Sequence, residues 1–157
     1  MMQVPQTKEV LNQLVADLSQ MSAVVHQVHW YMRGPEFLHL HPLMDDFRED
    51  LDEQLDEIAE RLITLDGAPA STLEEFAELT GIKDAHGTFG TPTPERLATL
   101  LEGYRYLADV YQHGIEVSGA EGDDTTQDLF IGFKGATEKR IWMLTAQLNQ
   151  APEIAED

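Results

Sequence analysis

The chain has 157 residues, 42% of them apolar and 25% charged, with no cysteine. That length suffices for one well-cored domain and is short for two, and the missing thiols exclude disulfides, thiolate nucleophiles and zinc–sulfur sites. Lys and Arg number 10 against 29 Asp and Glu, a formal net charge of −19, which opposes nucleic acid or an anionic membrane as a general partner and favours cations.

The opening MMQVPQTKEV lacks a charged-then-apolar targeting signal, and no apolar run nears the roughly 20 residues that span a bilayer. A soluble, cytoplasmic protein is expected. Leu11, Leu14, Leu18, Met21, Val25, Val28 and Met32 step by threes and fours, the mark of an amphipathic helix, and Gly34-Pro35 ends it. A second helix is predicted from about Glu36 to Leu65, with Leu40, Met44, Phe47, Leu51, Leu55, Ile58, Leu62 and Leu65 on its apolar stripe. The connection 66–92 is long enough to hold structure of its own. Ser71-x-x-Glu74 and Thr72-x-x-Glu75 are overlapping capping boxes, so a short helix is expected at about 72–80. Thr93 is the expected N-cap of the next long helix, with Pro94 in its first turn and Leu97, Leu100, Tyr104, Leu107, Tyr111 and Ile115 as its apolar face. The last begins near Asp123-Asp124 and carries Phe130, Phe133, Thr137, Ile141, Leu144 and Leu148. No strand pattern, repeat or low-complexity tract interrupts this series. The fold class is therefore all-α: a single domain over 1–157, a four-helix bundle with one long crossover, the ferritin-like topology.

The second helix carries the chemistry. At 100° per residue, with His41 as zero, Asp45 lies at about 40°, Asp56 at about 60° and Glu60 at about 100°, while the apolar residues centre at about 280°. Four metal-capable side chains thus share a stripe turned away from the bundle core. Asp45 and Asp56 are separated along the axis by about 16 Å, whereas metal–ligand bonds are about 2 Å long. The pairs His41/Asp45 and Asp56/Glu60 cannot serve one ion within one chain; a second copy, antiparallel about a two-fold axis near Asp50–Leu51, can complete the site. His29, at the edge of the first helix's stripe, is placed to join His41. Any one of these histidines, taken alone, reads as a surface or packed residue, and Asp56/Glu60 alone as a solvated face. Together, His29, His41 and Asp45 from one subunit with Asp56 and Glu60 from another form a mixed imidazole–carboxylate set. It suits iron better than magnesium or calcium, with zinc or manganese as other occupants. An intra-bundle di-iron site would want a Glu-x-x-His pair on each of two helices; His113 stands alone on the third.

The run His29-Trp30-Tyr31-Met32-Arg33-Gly34-x-x-Phe37-x-x-x-His41-x-x-x-Asp45, then Asp56-x-x-Ala59-Glu60-Arg61, resembles the signature of the Dps family, the mini-ferritins that protect DNA in starved cells. The similarity continues through Glu121-Gly122-Asp123-Asp124-Thr125-Thr126-x-Asp128 and Glu138-Lys139-x-Ile141-Trp142-Met143. It implies a hollow homo-dodecamer that oxidises Fe²⁺, with H₂O₂ in preference to O₂, at di-iron centres between two-fold-related subunits, and stores ferric mineral inside. Such an enzyme is a ferroxidase, and coupling two ferrous ions to one peroxide consumes the oxidant without releasing hydroxyl radical. The family's ferroxidase ligands match His29, His41, Asp45, Asp56 and Glu60, and its site-proximal tryptophan, an electron donor, matches Trp30. His26 is read either as a further ligand or as a residue orienting the ligands; for Trp142 a packed indole is at least as good a reading as an electron donor, and His39 and His86 are read as exposed histidines.

Two acidic groups carry further alternatives. Asp45, Asp46, Glu49, Asp50, Asp52, Glu53, Asp56 and Glu57 make either a solvated face or, bordering a cavity, a surface that attracts Fe²⁺; Arg48, four residues before Asp52, is placed to neutralise it. Asp123, Asp124 and Asp128 either cap the last helix or, as the resemblance implies for Asp124 and Asp128, line three-fold pores that admit iron, with Gly119 where some relatives have another pore aspartate. Two other functions compete with the ferroxidase. DNA-binding members use a basic tail, but residues 1–10 hold only Lys8 and the end, Ala-Pro-Glu-Ile-Ala-Glu-Asp, is acidic, so DNA binding is not expected. A metal-loaded cage without turnover is the third.

Overall fold

The apolar stripes form five helices in the computed structural model, which describes residues 1–156. They are α1 (Pro5–Tyr31), α2 (Phe37–Thr64), α3 (Leu73–Leu79), α4 (Thr93–Glu121) and α5 (Asp124–Gln147). α1 packs on α2 and on α4, α4 packs on α5, and the short α3 lies against α1. This is the ferritin-like arrangement, two antiparallel helix pairs joined by a long crossover that contains a short helix. No helix among the described residues is long and apolar enough to cross a membrane.

Helix ends are set by specific residues. Pro5 occupies the first turn of α1, where its missing N–H costs nothing. Val4 offers no side-chain cap; instead the Glu121 carboxylate, at the far end of α4, accepts from the N–H groups of Gln6 and Thr7 at 3.0 and 2.9 Å. The first helix is thus closed by the third long one. Gly34, at φ 118°, makes the turn out of α1 in a conformation that side chains disfavour. Thr72 caps α3, accepting from Glu75 N at 3.2 Å and donating to Glu75 Oε1 at 2.9 Å, so of the two overlapping capping boxes the second forms.

At α4 the structure differs from expectation. Pro92 stands at the N-cap and Thr93 is already helical; the Thr93 hydroxyl donates to the Arg33 carbonyl at 3.2 Å. A tertiary acceptor displaces the capping role there. α4 ends at Gly122 in the left-handed conformation, φ 75°, and Asp123 caps α5 by accepting from Thr126 N at 3.1 Å.

The core runs the length of the bundle: Leu11, Leu14, Leu18, Met21 and Val25 face Met44, Phe47, Leu51, Ile58 and Leu62, and Leu100, Tyr104, Leu107, Tyr111, Phe130 and Ile141 close it, all buried. The Tyr111 hydroxyl meets Gln54 Oε1 at 2.7 Å, which satisfies two polar groups that would otherwise be costly to bury. Trp142 is 54% exposed rather than packed: position 142 follows the stripe residue Ile141 and so faces outward. A feature without a periodicity signal is Asp17, fully buried on α1. It accepts from Gly81 N and Thr80 Oγ1 at 2.9 Å each, from Tyr106 OH at 3.0 Å and from Gln13 Nε2 at 3.2 Å, tying the crossover to α1 and α4.

Candidate metal centre

The site begins with an unfinished helix. The last-turn carbonyls of α1 have no helical donors, and the one on His29 accepts from His41 Nδ1 at 2.8 Å, while the His41 carbonyl accepts from His29 Nδ1 at 2.7 Å. A carbonyl can only accept, so both Nδ1 atoms carry a proton, which leaves Nε2 as the nitrogen of each ring that can offer a lone pair to a metal. Hydrogen-bonding one ring nitrogen in this way is how a metal-binding histidine is oriented. The rings stack with centroids 3.7 Å apart and planes 12° from parallel, and Phe37 covers His41 at 4.6 Å.

Asp45, one turn after His41, presents Oδ1 at 3.8 Å from His29 Nε2. The structure therefore sets His29 between His41, on which it stacks, and the Asp45 carboxylate. Asp56 and Glu60 lie further down α2, both exposed, while Met44, Leu51, Ile58 and Leu62 point inward. Among the described residues, no group of three or more His, Asp or Glu within one chain is placed to hold a metal ion by itself.

Arg48 departs from expectation. Its Nη1 lies 3.2 Å from Asp45 Oδ1, an i,i+3 pair, rather than serving Asp52 at i,i+4; both spacings bring side chains within reach on a helix, and Asp52 stays exposed. His26, one turn before Trp30, stacks on it with centroids 4.7 Å apart and planes 10° from parallel. Burial, then the nearby Arg48 and His29 charges, outweigh Asp52 and Asp45 and lower its pKa, favouring the neutral ring. Trp30 itself is 65% exposed. His39, His86 and His113 are exposed.

Of the acids opening α5, Asp123 is withdrawn from the pore set. It is 1% exposed, caps Thr126 and pairs with Arg61 Nη2 at 2.8 Å. Burial alone would raise its pKa; the Thr126 donors and the Arg61 guanidinium outweigh it and the net movement is downward. Asp124 and Asp128 remain exposed. At Gly119 a Cβ would come 2.3 Å from Gln127 Nε2, so a longer side chain there requires that amide to move.

Comparison with known proteins places the fold. A family model described as a ferritin-like domain matches residues 8–154. The chain is 51% identical over 148 residues to the DNA protection during starvation protein of Streptococcus suis strain P1/7, covering 94% of this chain and 86% of that one. It superposes on the X-ray structure of Dps from Listeria monocytogenes with a TM-score of 0.91 at 44% identity, over 93% of this chain and 95% of that one. Dps from Listeria innocua soaked with cobalt gives the same TM-score, 0.91, at 44% identity over 93% and 94% of the two chains. Fold and helix order thus define a ferritin-like protein. Within that class, the chain belongs to the Dps family.

Proposed function

We propose that this chain is a ferroxidase and iron-storage mini-ferritin. It oxidises Fe²⁺ with H₂O₂, and more slowly with O₂, at di-iron centres shared between two subunits, keeps the ferric product inside a homo-dodecamer, and so protects against peroxide. The observation that carries this is the orientation of His29 and His41, whose Nε2 lone pairs are freed by reciprocal Nδ1 hydrogen bonds beside Asp45. Asp56 and Glu60 sit too far along α2 to share that ion within one chain, about 16 Å by helical rise from Asp45 to Asp56. A two-fold neighbour supplies them, and two imidazoles with three carboxylates suit iron, with zinc or manganese as competitors.

In this reading the ferrous ions are substrate. His29 and His41 Nε2 donate lone pairs, and Asp45, Asp56 and Glu60 supply negative charge that holds the ions and stabilises the ferric state. Two Fe²⁺ give one electron each to one H₂O₂, whose O–O bond breaks to the level of water. The proton balance is 2 Fe²⁺ + H₂O₂ + 2 H₂O → 2 FeOOH + 4 H⁺. Trp30, solvent-exposed beside the set, is placed to reduce a stray oxidant. Asp124 and Asp128 line the route of entry.

Stopped-flow absorbance after mixing Fe²⁺ and H₂O₂ tests the proposal and separates it from a metal cage without turnover. Fast oxidation by the assembled protein is expected, lost in His29→Ala/Asp56→Ala with helicity retained; slow oxidation alike in both proteins would sink it. DNA condensation is not part of the proposal. The relatives' name speaks of DNA protection, but a charge of −19 per chain repels duplex phosphates. No retention is expected in a gel shift at physiological salt, and a salt-sensitive shift would overturn that.

A further inference from the structure

Arg48 stands on the metal stripe of α2, at about 340° when His41 is zero. Its Nη1 is 3.2 Å from Asp45 Oδ1, the same oxygen that faces His29 Nε2 at 3.8 Å. Asp45 is the acid this guanidinium engages among the described residues, and the Arg48 Nε is buried without a hydrogen-bond partner. A metal bound between His29 and Asp45 would lie about 2 Å from that oxygen. The guanidinium would then stand within a few ångströms of a dication, where like charges repel strongly. Asp45 Oδ1 could serve both cations only by holding two positive charges close together, at an electrostatic cost.

We propose that Arg48 is a resident counter-cation that competes with the incoming metal ion for Asp45 and so sets the affinity of the centre. The inference rests on the proposed metal centre. Metal entry breaks the Arg48–Asp45 pair and turns the guanidinium toward solvent, which it already partly reaches, its side chain being 29% exposed. The exchange makes binding weaker than the five ligands alone would give.

The probe is Co²⁺, which is not consumed by oxidation and whose visible absorption reports imidazole coordination. It is titrated into the full-length assembled protein. Arg48→Met and Arg48→Gln, the latter keeping a polar side chain without the charge, are each expected to bind Co²⁺ about three- to tenfold more tightly, the effect of losing one partly exposed ion pair. Lys139→Met, which removes an equal charge from an exposed position on α5, is expected to leave the affinity unchanged. Unchanged or weaker binding in both Arg48 variants would overturn the proposal, as would equal tightening in Lys139→Met, which would mean a global charge effect. An unsubstituted protein that shows no imidazole–Co²⁺ band would overturn the metal-centre reading itself. That outcome is distinct from a band whose midpoint ignores Arg48.

Discussion

His29 and His41 hold each other by exchange: each ring donates Nδ1–H to the other's backbone carbonyl, at 2.7 and 2.8 Å. The main-chain acceptors survive truncation, but the two rings also stack with centroids 3.7 Å apart, so loss of either side chain removes the face on which its partner's ring rests. Two residues that act as a unit give strongly non-additive effects. His29→Ala and His41→Ala are each expected to remove most fast Fe²⁺ oxidation, and the double variant to be little worse than either single one. Stopped-flow rates for the four proteins close the cycle; losses that multiply would mean the two rings work independently.

Asp17 makes a prediction about stability instead of activity. Four donors from Gln13, Thr80, Gly81 and Tyr106 converge on its buried carboxylate. Truncation removes the acceptor of these part-buried donors, of which Gln13 alone keeps another, the Leu79 carbonyl, and each group left unsatisfied is costly. Asp17→Ala is expected to destabilise by about 2–3 kcal/mol in urea unfolding, and to raise hydrogen exchange in the crossover before it does so in α2. Uniform exchange through all helices would mean the carboxylate does not anchor the crossover.

Much of this architecture is legible in the sequence, for a physical reason. Leu11, Leu14, Leu18, Met21 and Val25 repeat with the helix period because they are buried on one face, so burial writes itself into spacing. The turn at Gly34 is likewise legible, since a φ of 118° suits few residues other than glycine. Asp17 was not foreseeable: a single acid among apolar positions looks solvated, and its partners Thr80, Gly81 and Tyr106 are distant in the chain. Nor was the exchange between His29 and His41, because its acceptors are backbone carbonyls, which carry no side-chain signature. The spacing of Arg48 to Asp45 and to Asp52 permits either pair, and only the packed helix decides between them.

The phenol of Tyr106 gives a pH dependence with a definite sign. Burial, the Asp17 charge and the hydrogen bond to Asp17 push it up to about 12, against about 10 in an unfolded chain. Below about 10 both states keep the proton and stability is flat. Above it the unfolded chain loses the proton first, and stability falls until the folded phenol also ionises at about 12. Burial raises Tyr104 and Tyr111 in the same direction. Tyr106→Phe is therefore expected to make the alkaline decline shallower in urea titrations across this window. A decline of unchanged slope would show that Tyr106 ionises alike in both states.

The division of the ligand set between chains can be tested by complementation. Suppose His29→Ala chains are unfolded, mixed in equal amounts with Asp56→Ala chains, and reassembled. Each parent assembly carries a lesion in every centre. In a mixed two-fold pair, one centre combines both lesions, but the other takes His29, His41 and Asp45 from the Asp56→Ala chain and Asp56 and Glu60 from the His29→Ala chain. That centre is whole. Random pairing makes half of the pairs mixed, so about a quarter of the unsubstituted rate is expected to return. If one chain supplied all five ligands, no mixture could repair either lesion and the rate would stay at the parents' level. Stopped-flow rates against mixing ratio, rising from both pure ends to a maximum at equal parts, therefore decide whether the centre belongs to one subunit or to two.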